Sequence, residues 1–576
     1  MSAFSKKYGN QIGNTSLTQF DVLIIGSGAG GSAAAEALTR NGQKVLILEA
    51  GINTFQGLDA SDPQNLKTLS GNDQLKFSNR YFISPDPEAE PKVFRSDENE
   101  KGYRFWGDNS LLPRTVGGAA IIADLLVPRF APDDFHLGTL LKKTPMAGTT
   151  FADWPVDYDQ LEKFYCHTEQ VIGAQGEAGA NPFEGPRSAP YPMKPGLPMY
   201  VSLKAAAAAK KVNPDYSPFP NAAAINSRPY GGRPACVNCG FCIGVPCVSS
   251  AKGSPAVTFL RKALLTRNCL LMTETKVTRL LMDSSKRKVI GVEALDAKGK
   301  VVQVKADRYI LAANPIESTR IVLRSAPGGV GNSSGMVGRN LTFHFKTHAV
   351  GIFNERLHAH RGRISSHCMV DFRGKPGDTN KPLGGIVELG GGSDPIAEGI
   401  AYALQVPFGK HYLSKWMRES PLRDRLMVLT MIAEDAPQYA NRLDLDPNIK
   451  DFNHHPVIRT TYKNHSFELN ARAFYGPKMI EIVKAAGALY TFIPPAAKIP
   501  DTHHVLGTLR FGNDPKASVC DGNGKFHDVE NLYCVDGSIF PTSSGYNPTL
   551  TIMALANRVG SGMVFPQDPE RGLPIT

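Results

Sequence analysis

Two short apolar strands flanking a glycine-rich turn, close to the start of the chain, constrain the fold more than any other feature. Phe20-Asp21-Val22-Leu23-Ile24-Ile25 is apolar and rich in β-branched residues, the pattern of a buried parallel strand. It runs into Gly26-Ser27-Gly28-Ala29-Gly30-Gly31, a G-x-G-x-x-G turn. Ser32 to Asn41 is alanine-rich and helical in character, Gly42 stops it, and Lys44 to Glu49 forms a second strand. This βαβ unit opens a doubly wound sheet. Gly26 permits the tight turn, Gly28 lets a pyrophosphate approach the backbone, and Gly30 with Gly31 lets helix and strand pack closely. The helix then points its free N–H groups and positive dipole end at the phosphates. Glu49 stands about twenty residues on, where a carboxylate accepts ribose hydroxyls. The pattern predicts a bound dinucleotide and does not separate NAD from FAD.

The remaining chain fits a large, ordinarily globular enzyme. Its 55 glycines and 42 prolines point to many turns and long irregular connections. Strand character runs from Leu270 to Leu281, Val289 to Ala294, Val301 to Val304 and Arg308 to Ala313, with a hairpin at Lys298-Gly299. Residues 341–500 mix short strands with polar loops, a helix is predicted from Ser466 to Ala486, and Thr549 to Gly560 reads as another. The formal charge of +11 is dispersed in short clusters such as Lys6-Lys7 and Lys286-Arg287-Lys288. Such clusters are solvated loops, and nucleic-acid binding is not expected. Met1 to Asn10 has no apolar stretch behind it, so no secretory signal is expected. The longest nearly apolar run, Val116 to Val127, is broken by Asp124 and too short to span a bilayer. The expected location is the cytoplasm, or outside it in company with a signal-bearing partner subunit.

Four of the nine cysteines fall close together. Cys236, Cys239, Cys242 and Cys247 read C-x-x-C-x-x-C-x-x-x-x-C, and Gly240 lets the loop curl so that the thiolates converge. An iron–sulfur cluster, [3Fe–4S] or [4Fe–4S], is the favoured reading. Zinc, which prefers two separated pairs, and a structural or disulfide role are the alternatives.

Downstream blocks identify a family. Thr115-Val116-Gly117-Gly118, Ala312 to Ser318, Met336 to Leu341, and Val535-Asp536-Gly537-Ser538 with Asn547-Pro548-Thr549-Leu550-Thr551 together resemble the glucose–methanol–choline (GMC) oxidoreductases. The resemblance implies an α/β fold: a discontinuous Rossmann-like FAD-binding domain plus an α+β substrate domain with an antiparallel sheet. The implied division is 1–150, 261–342 and 501–576 for the FAD-binding domain, 151–260 for a cap or linker region carrying the cysteine loop, and 343–500 for the substrate domain. It implies that Gly117 and Gly118 lie against the flavin or pyrophosphate, that the Val277 backbone meets the adenine, and that Asp536, Gly537 and Thr549 hold the ribityl chain and pyrophosphate. After Gly118 this chain has Ala119-Ala120-Ile121-Ile122-Ala123, with no histidine for a covalent link, so FAD is expected to bind non-covalently.

His504, in His503-His504-Val505-Leu506-Gly507-Thr508, falls on the family's catalytic histidine, and Asn547 on its partner. An imidazole with a pKa near about 6.5 accepts an alcohol proton near neutral pH, and an amide N–H holds the same oxygen. His344 and His348 either line the pocket or are core residues. Flavoprotein subunits of bacterial sugar and sugar-acid dehydrogenases carry a similar cysteine loop, after a segment like Asn226-Ser227-Arg228-Pro229-Tyr230. That likeness implies oxidation of a sugar, polyol or related alcohol, with electrons leaving through Fe–S to a small subunit and a cytochrome c or quinone-linked acceptor. An oxidase releasing hydrogen peroxide from a bulkier secondary alcohol, and an electron-transfer subunit without its own substrate, are the competing expectations.

Overall fold

The computed structural model describes residues 10–14, 16–68, 88–105, 112–142, 146–359, 361–391, 424–500 and 502–574. Lys6 and Lys7, and part of the expected substrate region, lie outside them. The predicted βαβ unit is present as β1 (Val22–Ile25), α1 (Ala29–Arg40) and β2 (Val45–Leu48). All eight strand residues are buried, as expected of strands covered on both faces. Each such aliphatic side chain contributes about 1.5–3 kcal/mol on leaving water. Helix α1 starts inside the glycine pattern, ahead of the expected Ser32. Gly30 and Gly31 are its first-turn residues because a methyl at either would overlap a backbone carbonyl, that of Val535 or of Gly26.

Three more strands complete the parallel sheet: β3 (Cys269–Met272), β4 (Arg308–Leu311) and β5 (Leu532–Cys534). The order is β3-β2-β1-β4-β5, with Gln11–Gly13 antiparallel at the β3 edge. Strand order reverses between β1 and β4, so the crevice beyond their carboxyl ends is the switch point where such sheets bind ligands. Helix α2 (Thr549–Gly562) follows β5 and packs on α1 so closely that a methyl at Gly560 would stand 3.0 Å from the Ala34 carbonyl oxygen.

The stretch expected as one run from Leu270 to Leu281 is broken in two. Glu274 has φ 52°, and Thr275 N–H donates to the Glu49 carbonyl at 2.8 Å, so the chain leaves the parallel sheet. It enters a three-stranded antiparallel sheet of Lys276–Met282, Val289–Leu295 and Val301–Val304, whose second hairpin turns at Gly299 with φ 76°.

A second sheet of six antiparallel strands has the order Tyr490–Phe492, Phe345–Ile352, Leu426–Ala433, Gly385–Gly390, Ser365–Met369, Phe219–Pro220. Helices Tyr200–Val212 and Ser466–Ala485 share an apolar core with it that includes Met369, Leu389, Leu429 and Ile482. Along Phe345–Ile352, buried and half-buried residues alternate, so Lys346 and His348 stand on the face opposite Thr347 and Ala349. No helix among the described residues is long and apolar enough to cross a membrane.

Candidate active site

One cleft opens at the switch point, and most of the predicted cofactor residues line it: Gly26, Gly28, Gly30, Glu49, Gly118, Val277, Asp536, Gly537 and Thr549. Its floor requires glycine for identifiable reasons. Gly26 has φ 101°, and a methyl there would stand 2.5 Å from the Ala312 carbonyl oxygen on the neighbouring loop. Gly118 has φ 61° and faces Gly28 edge to edge: a methyl on Gly118 would lie 2.9 Å from the Gly28 Cα. Two segments some ninety residues apart thus meet through bare Cα atoms and line a slot in the cleft. Gly31 and Gly117 do not line the cleft. Gly31 seats α1 on β1, and Gly117 donates its N–H to Ser27 Oγ at 3.1 Å.

Ser27, which sequence reasoning missed, orients Glu49. Its hydroxyl donates to Glu49 Oε2 at 2.6 Å and its N–H to the same oxygen at 3.0 Å, while Gly51 N–H donates to Oε1 at 2.8 Å. Burial pushes the Glu49 carboxyl up from its usual range, and the Ser27 and Gly51 bonds oppose that. Nothing marks Ser27 in the sequence, because the pattern leaves its position free. Asp536 is fixed similarly by Ser318 Oγ at 2.6 Å and Ser538 N–H at 2.9 Å. Gly537 tolerates no side chain, since Leu506 and the Val505 carbonyl stand 2.8 and 2.9 Å from where a Cβ would be. At Thr549 the N-terminus of α2 reaches the same cleft, and no side chain among the described residues caps it.

His504 also lines this cleft. Its Nδ1 lies 2.8 Å from Nδ1 of His344, and His344 Nε2 lies 2.9 Å from the Ser543 carbonyl oxygen. Burial holds His504 well below its usual value, with His344 and Lys346 adding to the effect, and burial lowers His344 to about 4. Both rings are therefore neutral at pH 7. Asn547 is buried just outside the lining residues. Its Nδ2 donates to Glu388 Oε1 at 3.1 Å, and its Oδ1 has no hydrogen-bond partner among the described residues. Burial, reinforced by Asp124, raises Glu388 to about 8. The loop carrying Ser543 and Asn547 is pinned from several sides: Ser543 N–H donates to Glu434 at 2.8 Å, and Ser544 Oγ donates to Asp134 at 2.9 Å. His348 instead faces Thr430, at 3.0 Å.

Comparison with known proteins agrees with this geometry. The N- and C-terminal GMC oxidoreductase family models match residues 221–346 and 437–556, and an NAD(P)-binding Rossmann-like model matches residues 24–94. Paromamine 6'-oxidase of Streptomyces fradiae is 30% identical over 94% of this chain and 90% of its own length. The chain belongs to the GMC oxidoreductase family. Gluconate 2-dehydrogenase flavoprotein of Pantoea cypripedii is 27% identical over 96% of this GMC oxidoreductase and 95% of its own length. In fold it matches the crystal structure of pyridoxine 4-oxidase from Mesorbium loti, with a TM-score of 0.60 over 95% of this chain and 99% of that one, at 18% identity. The protein is an FAD-dependent oxidoreductase acting on CH–OH groups. Its residues fit that cofactor: Gly28 and Gly118 line the slot without side chains, so the backbone there is open to a pyrophosphate.

The cysteine loop of this GMC oxidoreductase abuts the segment that follows Gly118. Gly244 N–H donates to the Ile122 carbonyl at 2.9 Å. Lys252, 2% exposed, bridges the Ala123 carbonyl at 2.7 Å and the Cys242 carbonyl at 2.6 Å. The backbone is left-handed at Asn238, Gly240 and Gly244, which curls the loop as expected. All four thiols are free, and Cys236 and Cys242 each lie within electrostatic reach of Cys239 and Cys247. Burial raises the Cys236 thiol and pushes Cys242 up to about 12, and the nearby Arg363 and Lys252 only partly oppose this. Among the described residues, no three His, Cys, Asp or Glu side chains are arranged as a metal-ligand set.

Proposed function

We propose that this enzyme oxidises an alcohol carbon of a sugar, polyol or related CH–OH donor, with His504 as the general base and Asn547 holding the reacting oxygen. The observation that carries the reading is His504 in the wall of the dinucleotide cleft, held neutral by burial, with Nε2 making no hydrogen bond among the described residues. When bound, FAD supplies the hydride acceptor. His504 takes the hydroxyl proton as the alcohol carbon is oxidised. Asn547 orients the oxygen, and Glu388 orients Asn547. With Glu388 protonated near neutral pH, exchanging the amide's oxygen and nitrogen replaces the Nδ2–Glu388 bond with one from the Glu388 O–H to Asn547 Oδ1, which pairs the buried oxygen and frees the amide N–H groups for the substrate. Relatives named as oxidases and dehydrogenases of sugar-like alcohols support the substrate class.

The dehydrogenase reading is supported by the cysteine loop pinned behind Ile122 and Ala123, next to the glycines of the slot. Cys236, Cys239, Cys242 and Cys247 are the residues that would hold a cluster, and bound there it supplies one-electron transfer. The oxidase reading rests on the paromamine 6'-oxidase likeness.

The test is anaerobic mixing of the purified enzyme with a panel of sugars, polyols and amino sugars, followed at the flavin band near roughly 450 nm. Bleaching in the unaltered enzyme and its loss in His504→Ala is the expected result. Bleaching that survives in His504→Ala removes the proposed base. A broad shoulder beyond the flavin bands, absent in Cys239→Ser, supports the cluster. Flavin bands alone, with stoichiometric hydrogen peroxide on turnover, support the oxidase.

A further inference from the structure

The contact between His504 and His344 settles more than position, because the two rings meet nitrogen to nitrogen. Two nitrogens 2.8 Å apart share one hydrogen, so one ring must donate and the other accept. The far side of His344 decides which. Its Nε2 lies 2.9 Å from the Ser543 carbonyl oxygen, and a carbonyl only accepts, so that nitrogen carries the hydrogen. His344 has no exposed surface, and burial keeps its ring neutral at pH 7. A neutral ring protonated at Nε2 offers a lone pair at Nδ1. The hydrogen between the rings therefore belongs to His504 Nδ1, and His504 Nε2 is left as a bare lone pair. The ring planes stand at 87° with centroids 4.9 Å apart, an edge-on approach that suits an in-plane N–H meeting an in-plane lone pair, which stacked rings do not offer.

We propose that His344 is a positioning residue that locks His504 in the Nδ1–H tautomer and so makes Nε2 its sole basic nitrogen. The inference rests on His504 being the base only for its consequence in the reaction; the tautomer stands on the geometry. As His504 takes a proton at Nε2, the charge is spread along Nδ1–H to His344 and from its Nε2–H to the Ser543 carbonyl. The orienting group is thus a neutral imidazole where many base histidines use a carboxylate. Among the described residues, the other charged or titratable groups near His504 are Lys346 and His503, neither of which supplies an anion.

Two substitutions separate positioning from packing. In His344→Asn the side-chain oxygen replaces the Nδ1 lone pair. In His344→Gln the amide replaces Nε2 beside Ser543, and the acceptor facing His504 is lost. The readout is nitrogen-15 magic-angle spinning NMR of the holoenzyme labelled at histidine, at pH 7, which distinguishes protonated from bare ring nitrogens without any substrate. The His504–His344 pair is identified by its nitrogen–nitrogen correlation across the shared hydrogen. We expect His504 to be protonated at Nδ1 in the unaltered enzyme and in His344→Asn. In His344→Gln the Nε2–H share should rise from below about a tenth to about half or more. A His504 protonated at Nε2 in the unaltered enzyme overturns the proposal, as does a His344→Gln enzyme whose tautomer does not move. Flavin bleaching that persists in His504→Ala would instead remove the base assignment and leave the tautomer untouched.

Discussion

Alanine at Gly30 and alanine at Gly28 should fail for different reasons, and the difference tests how the slot is built. A methyl on Gly30 would overlap the Val535 carbonyl oxygen and stand 2.9 Å from its carbonyl carbon. Optimal carbon contacts are about 3.5–4.0 Å, so α1 or the chain after β5 must move by at least about half an ångström. Overpacking of this kind costs about 1–3 kcal/mol, and it is present whether or not FAD is bound. A methyl on Gly28 meets nothing closer than the Gly118 Cα at 3.9 Å, an ordinary contact. It costs the apoprotein nothing and fills only the space meant for the pyrophosphate. Losing one charge-assisted N–H bond to phosphate costs about 1.5–3 kcal/mol, or roughly 10- to 150-fold in Kd. Thermal unfolding of the two apoproteins, with FAD titration followed by quenching of flavin fluorescence, reads both quantities. The expected result is a Tm lowered by a few degrees in Gly30→Ala alone and weakened FAD binding in both. A Gly28→Ala apoprotein destabilised as much as Gly30→Ala, or one that binds FAD normally, would refute this account of the slot.

Three further outcomes are expected. Glu388 stays protonated until about pH 8, so kcat should fall as pH rises through that value and the carboxyl loses the hydrogen that orients Asn547; in Glu388→Gln, which does not ionise, this alkaline fall should vanish from the pH–rate profile. His344 is lowered from 6.5 to about 4 in the folded chain, so the unfolded state binds the extra proton between those values, and stability present above pH 6.5 is lost as pH falls toward 4. The loss is about 3 kcal/mol, and urea unfolding across that window should show a shallower pH dependence in His344→Asn. Lys252→Met removes the buried bridge between the Ala123 and Cys242 carbonyls, which should raise hydrogen exchange of the Gly244 amide at least tenfold while leaving α1 unchanged.

The cofactor half of the molecule was legible because its constraints are local. A strand, a glycine turn and a carboxylate within thirty residues specify β1, α1, β2 and Glu49 by periodicity and backbone sterics alone. Boundaries were less legible: α1 begins at Ala29 because Gly30 and Gly31 trade helix propensity for close approach, a tertiary demand that propensity does not register. The break at Glu274 was hidden for the same reason, since Thr275 leaves the sheet to bond the Glu49 carbonyl, far away in the sequence. His504 and Asn547 carried a motif, whereas the partners that orient them did not. His344 is 160 residues from His504 and Glu388 is 159 from Asn547, and only the folded chain brings such pairs together.

The loop from Ser543 to Asn547 takes its shape from Asp134, His344, Glu388 and Glu434, residues drawn from widely separated stretches. During synthesis those anchors emerge long before the loop they hold. Without the loop, Glu388 and Glu434 lack these hydrogen-bond partners, and His344 lacks the carbonyl that ends the relay from His504. The nucleotide sheet and the reactive centre are thus completed by the same C-terminal segment, β5 with the loop and helix α2 that follow it.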